Sequence, residues 1–217
     1  MNLERARYYQ ENMDRLMQTD RLFLKNPVLV TGLGLAPIVV AATTLNNALI
    51  LGLGVALLLT PTRLLAAVCC SRKVPVQLRG LVYTLCAAVL YIPIFFLLYQ
   101  VFGVSLSAVG LYLPVLVVEP IIIKRYERPQ PEPLGFALRK GITTTAGFLL
   151  ALFVVAALRE WLGLGTLLGY QLLAQAPMPL ANYTSGGFIC VGLLAALWRW
   201  MGNLFKKYVN LEAKQEV

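Results

Sequence analysis

The sequence predicts an all-α integral membrane protein of six transmembrane segments, built as two inverted three-helix repeats whose first members, segments one and four, are short and broken. Three observations predict it. Of 217 residues, 59% are hydrophobic and only 13% charged, with no histidine, which lies outside the range of soluble domains. Charge vanishes for 37 residues between Lys25 and Arg63, and again for 39 between Arg79 and Glu119. Two complete spans need roughly 40 residues plus a turn, so one segment of each pair is short or re-entrant. Prolines then fall at corresponding places in the two halves, Pro27 and Pro37 in one, Pro114 and Pro120 in the other.

Taken in order, residues 1–25 mix Arg5, Arg7, Arg15, Arg21 and Lys25 with Glu4, Glu11, Asp14 and Asp20. They read either as a helix lying near the membrane surface or as a solvated leader helix without a partner. Segment one, at about 28–45, holds Pro27 and Pro37 around Gly32 and Gly34. Proline removes a helical donor and glycine loosens the backbone, so this stretch does not run as one helix. A turn at Leu45-Asn46-Asn47 leads to segment two, about 47–69, which ends through Thr60-Pro61-Thr62-Arg63. Segment three covers about 80–102, and an uncharged break at Gly103-Val104-Ser105 precedes segment four at about 105–123. The charged, proline-rich run from Lys124 to Pro133 is an extended connection between halves. Segment five spans about 138–158, Gly163 to Ser185 is a loop, and segment six at about 186–205 ends in Trp198-Arg199-Trp200 and Lys206-Lys207.

The domain division is therefore a cytosolic segment at 1–25, one membrane domain at 26–207 and a cytosolic tail at 208–217. Within the membrane domain, repeat one covers about 26–103 and repeat two about 104–207. With both termini inside, 18 of the 19 Lys and Arg residues are cytosolic and only Arg159 lies outside. The net charge of +9 is thus a device of topology, and nucleic-acid binding is not expected. An odd number of spans per half turns the second half over, which lets the two broken segments approach near the midplane.

Several stretches resemble one family. Asn26-Pro27-x-Leu29-Val30-x-x-Leu33-Gly34-Leu35 resembles the first motif of the Rnf/Nqr membrane proteins, in particular the E-type component of Rnf and the D-type component of Na⁺-NQR. Gly110-Leu111-Tyr112-Leu113-Pro114-Val115-Leu116-Val117-Val118 is similar to the family's fourth segment, and Arg125-x-Glu127 to the Arg-Ala-Glu after it. Leu158-Arg159-Glu160 with Gly165-Thr166-Leu167, and Gly186-Gly187-Phe188-Ile189, resemble its later motifs. The resemblance covers about residues 26–200. It implies a multi-pass subunit of a prokaryotic cell-membrane complex for electron and ion transport, beside an oppositely inserted homologous subunit and further members of the complex. It also implies an iron–sulfur cluster in relatives, ligated by cysteines at the positions held here by Ala36 and Pro120. Neither side chain offers a ligand atom, so no cofactor is expected on this chain.

No general acid/base pair, activated nucleophile, phosphate loop or metal-ligand spacing is present, so the chain has no catalytic residues of its own. The candidate ion path consists of Glu119, Thr31, Asn46, Arg159 and Glu160. Glu119 reads either as a cation- or proton-binding carboxylate at the former cluster position or as an interfacial group paired with Lys124 or Arg125. Arg159-Glu160 reads as an ion gate or, favoured by its place at a segment end, a rim pair fixing the following loop. Cys69 and Cys70 lie at the cytosolic membrane edge, with Cys86 and Cys190 single in segments three and six; each reads as packing, and no structural disulfide is expected. Two further functions stay open on these residues: a stand-alone or homodimeric secondary transporter coupled through Glu119, and a non-conducting assembly paralogue.

Overall fold

A computed structural model describes residues 21–70, 74–119 and 134–214. Of the helix expected over 1–25, residues 1–20 lie outside the described residues, as do the connection at 124–133, Pro120 and the last three residues of the tail, while 21–25 form turns rather than a continuous helix. The first apolar stretch is broken where its prolines and glycines fall. Asn26 opens a single helical turn, closed by Val30 and Thr31 N–H bonds to the Asn26 carbonyl and by Gly32 N–H to Val28. Gly32 and Gly34 take φ of +71° and +72°, a left-handed backbone that only glycine adopts readily. Helix α1 then restarts at Leu35–Val40.

Helix α2, Leu45–Cys69, begins at the N-cap Thr44, whose hydroxyl accepts the Asn47 N–H, and runs through Pro61 without stopping. Helix α3, Val76–Phe102, ends at Gly103. Segment four is fragmented like segment one: a 3₁₀ turn at Gly103–Ala108, the four-residue helix α4 at Tyr112–Val115, and a 3₁₀ turn at Leu116–Val118. Helix α5 is Leu134–Leu164 and α6 is Thr184–Lys214. Between them a two-residue hairpin, β1 (Thr166–Leu167) against β2 (Tyr170–Gln171), turns through Leu168 and Gly169, both at positive φ, and a 3₁₀ turn follows at Pro179–Asn182. The hairpin is a small addition to the all-α expectation. Helices α2, α3, α5 and α6 outrun the expected segments, α2 taking in the turn expected at Leu45-Asn46-Asn47, because hydropathy marks the apolar run whereas capping and hydrogen bonding set where a helix begins and ends.

Among the described residues four helices are long and apolar enough to cross a membrane, at Leu45–Cys69, Gln77–Ala108, Leu134–Leu164 and Thr184–Val209. Helix α2 is central, packing chiefly on α5 and α3. In lipid the apolar transfer term between helices is absent, so association depends on close fit. Gly52 supplies it toward α5, where a Cβ would stand 2.9 Å from Leu149, and Gly54 toward segment four, where it would stand 3.0 Å from Leu113. The α2–α5 pair is antiparallel and in register throughout: Leu45 lies beside Glu160, Gly52 beside Leu152, Thr60 beside Thr145, and Arg63 beside Thr144. One buried apolar cluster joins Val28, Ile38, Leu51, Leu113, Phe148 and Leu152, so both broken segments are set in the core.

Candidate functional site

The break in the first segment is held at three points. Asn26 is fully buried and uses its whole amide. Its Oδ1 accepts the N–H groups of Val28 and Leu29 at 2.9 and 3.1 Å, capping the first turn, while Nδ2 donates to the carbonyls of Leu22 and Gly147 at 3.0 and 2.9 Å. Gly147 allows this approach, since a Cβ there would come within 3.0 Å of the Pro27 ring. At the second point, Arg199 Nη2 donates to the Val30 carbonyl at 2.8 Å, beside Trp198, which stacks on Phe23 and donates Nε1 to its carbonyl.

The third point is Arg159, which is 1% exposed. Its Nη1 donates to the carbonyls of Ile38, Val39 and Ala42 at 3.4, 2.6 and 3.2 Å, where α1 ends. Nε and Nη2 reach Ala181, Asn182 and Tyr183 at 3.0, 3.2 and 3.4 Å, where the 3₁₀ turn ends. A cation thus sits at two helix C-termini, whose unsatisfied carbonyls carry partial negative charge. Those carbonyls offset the desolvation of a buried guanidinium. Gly187 leaves room for it, as a Cβ would meet Arg159 Cζ at 2.9 Å.

Glu160, 2% exposed, does the complementary thing at a helix start. Its Oε2 accepts the Leu45 N–H at 2.7 Å, at the first residue of α2, and Oε1 accepts from Gly169 N–H at 3.0 Å and Thr166 Oγ1 at 3.3 Å in the hairpin. The adjacent Arg159 and Glu160 therefore bind the end of α1, the start of α2 and the following loop into one joint.

The other expected residues are placed as follows. Thr31 is exposed and its hydroxyl donates to the Pro27 carbonyl at 2.6 Å, within its own turn. Asn46 is exposed in the first turn of α2, next to the Leu45 N–H that Glu160 accepts. Glu119 is 7% exposed and follows the 3₁₀ turn of segment four; among the described residues its carboxylate has no hydrogen-bond partner. The structure brings Arg159 and Glu160 to the break but leaves Thr31 and Asn46 facing outward. Asn26 joins the site without having been singled out from its motif; the Asn-Pro pair before an apolar run is the capping signal that marks it.

The donor set decides whether a cluster fits. Ala36 presents a methyl group on the surface of α1, and Pro120 lies outside the described residues but has no donor atom in its side chain. Among the described residues no three of His, Cys, Asp and Glu gather as a metal-binding group. The residues at the two ligand positions do not fit an iron–sulfur cluster.

Comparison with known proteins identifies the family. The family described as "Rnf-Nqr subunit, membrane protein" matches residues 15–195. A protein of Pseudoalteromonas atlantica, named as the E-type component of an ion-translocating oxidoreductase complex, is 30% identical over 212 residues, covering 90% of each chain. Proteins of the same name from Edwardsiella ictaluri and Shewanella baltica (strain OS185) are 34% and 35% identical over 193 residues. Each alignment covers 81% of this chain, and 80% and 82% of the respective relative.

Proposed function

The chain belongs to the Rnf-Nqr family of membrane subunits, and on that premise we propose that it serves as the E-type component of an ion-translocating oxidoreductase complex in a prokaryotic cell membrane. It contributes to the cation path there without ligating an iron–sulfur cluster. The observation that carries this reading is the pairing of an intact family scaffold, matched over residues 15–195, with Ala36 at a ligand position. The six-segment, inverted-repeat topology and an oppositely inserted homologous partner belong to the same proposal. The two fragmented segments, one in each half, support it.

Within the path, the work falls to Glu119. Arg159 and Glu160 have their polar atoms engaged in helix caps, and Thr31 bonds its own turn. Among the described residues Glu119 is the buried carboxylate left for a cation, and an ionisable group at such a place is expensive unless it is used.

The test is cation uptake by proteoliposomes holding the purified complex, driven by its electron transfer. Glu119→Gln is expected to lower uptake at least about tenfold, the loss that even an outer-shell partner of a bound cation brings, while the subunits still co-purify and electrons still flow. Unchanged uptake would remove Glu119 from the path. Uptake by this chain alone, with no homologous subunit present, would replace the complex by a stand-alone carrier.

A further inference from the structure

A third charge-free run extends from Trp161 to Trp198 and contains the whole connection between α5 and α6. Both helices are long and apolar enough to cross a membrane, so this connection, residues 165–183, lies where they leave the bilayer on one side. Unlike Arg72-Lys73 and the run from Lys124 to Pro133, it has no charged side chain; its polar ones, apart from two tyrosines, are Thr166, Gln171, Gln175 and Asn182. Nor are its apolar side chains folded in. Leu168, Leu172 and Leu180 are exposed, and Tyr170 and Tyr183 are 77% and 68% exposed. They join the exposed Trp161 and Leu164 at the end of α5 to the exposed Phe188 and Ile189 at the start of α6.

The loop is also closed on itself. The Gly165 carbonyl accepts the N–H groups of Leu172 and Leu173 at 2.9 and 3.0 Å, Met178 N–H donates to the Leu162 carbonyl at 2.9 Å, and Tyr183 N–H to that of Leu180 at 3.1 Å. Glu160 fastens Gly169 in the hairpin turn. The exposed leucines and tyrosines therefore stand on a fixed backbone, and burying them orders little further chain. We propose that residues 165–183 form an interfacial anchor, with Leu168, Tyr170, Leu172 and Tyr183 set among the headgroups and upper acyl chains of the leaflet on that side. Lipid is the occupant of this face because the face continues the surface of the spanning helices, and because Trp161, Tyr170 and Tyr183 cluster where those helices end, as in an aromatic belt. The absence of charge removes the main cost of leaving water. The two-stranded hairpin keeps unpaired outer edges, which hydrocarbon would not tolerate, so its depth is that of the headgroup boundary.

The experiment places full-length protein carrying Tyr170→Trp in phosphatidylcholine nanodiscs, both alone and within its purified complex, and takes the emission of the added tryptophan as the difference from wild type. Phosphatidylcholine brominated near the top of its acyl chains should quench that emission at least about twofold more than lipid brominated near the chain ends, the order for a ring at the headgroup boundary. Acrylamide, a quencher dissolved in water, should quench it at least about twofold less than free tryptophanamide. Leu172→Trp, a second site on the same loop, should give the same order. Acrylamide quenching equal to that of the free indole, with none by brominated lipid, would put the loop in water and overturn the anchor. Stronger quenching from the chain ends would overturn its depth. Lipid quenching in the isolated chain that disappears in the complex would give the face to a partner subunit and overturn the assignment to lipid.

Discussion

Arg159→Met should loosen the joint between α1, α2 and the 3₁₀ turn more than any other single change in this region. The substitution keeps most of the apolar stem and removes all guanidinium donors. Carbonyls of Val39, Ala42, Ala181 and Asn182 lose contacts of 2.6, 3.2, 3.0 and 3.2 Å, and Ile38 and Tyr183 lose longer ones of 3.4 Å. A hydrogen bond to a charged group is worth about 1.5–3 kcal/mol, but the desolvation of the guanidinium opposes the sum. Removing one side of a buried charged network costs about 3–5 kcal/mol, against a typical total stability of about 5–15. At about 2–4 °C per kcal/mol for a chain of this size, the thermal midpoint should fall by about 6–20 °C. Tryptophan fluorescence of the purified protein in detergent would follow it, with Trp161 two residues away as a reporter. Arg159→Lys keeps a cation at the α1 terminus but not the planar fork, and should lie between. A midpoint for Arg159→Met within about 2 °C of wild type, with protease resistance of the 165–183 loop unchanged, would refute the reasoning.

Other changes at the break follow the same physics. Asn26→Ala loses a cap and the ties to the Leu22 and Gly147 carbonyls, about 1–3 kcal/mol together, and Asn26→Asp should be no better because a carboxylate would face two carbonyls; thermal midpoints decide. Gly34→Ala combines a left-handed φ of +72° with a Cβ 2.7 Å from the Phe148 ring, for about 2–5 kcal/mol, and adding Phe148→Leu should recover only the packing share. Glu160→Gln has one acceptor oxygen for groups now shared by two, and should cost about 1–2 kcal/mol. Its signature is faster proteolysis at Leu168–Gly169, with the rest of the chain still resistant.

The broken segments were legible because glycine acts locally: Gly32 and Gly34 in segment one, and Gly103 and Gly110 in segment four, all take positive φ, whereas Pro37 and Pro114 lie inside short helices. The long helices were legible from unbroken apolar runs. The contacts of Arg159 were not, since they lie with carbonyls up to 121 residues away in the chain. The same holds for Cys86, whose buried neighbours Ala66 and Cys70 lie at the end of α2, and for Asn26, whose amide reaches Gly147 in α5. Local rules place breaks and spans, whereas the partners of a buried polar group are a property of packing.

The in-register α2–α5 pair also makes the molecule a gauge of its bilayer. From Leu45, under Glu160, to Arg63, bound to Thr144 and the Lys140 carbonyl, the axis of α2 rises about 27 Å. Arg63 and Arg159 are both tethered inward, so neither can extend its side chain to follow a receding headgroup layer, as exposed lysines do. A hydrocarbon layer thicker than about 30 Å must thin around this pair or tilt it, at a fraction of a kcal/mol per Å. With Arg63 and Arg159 at the two faces of the layer, as the expected topology has them, that strain would enter at Glu160 and Arg159, the residues that hold the break in segment one, and acyl-chain length would act on the joint between α1 and α2.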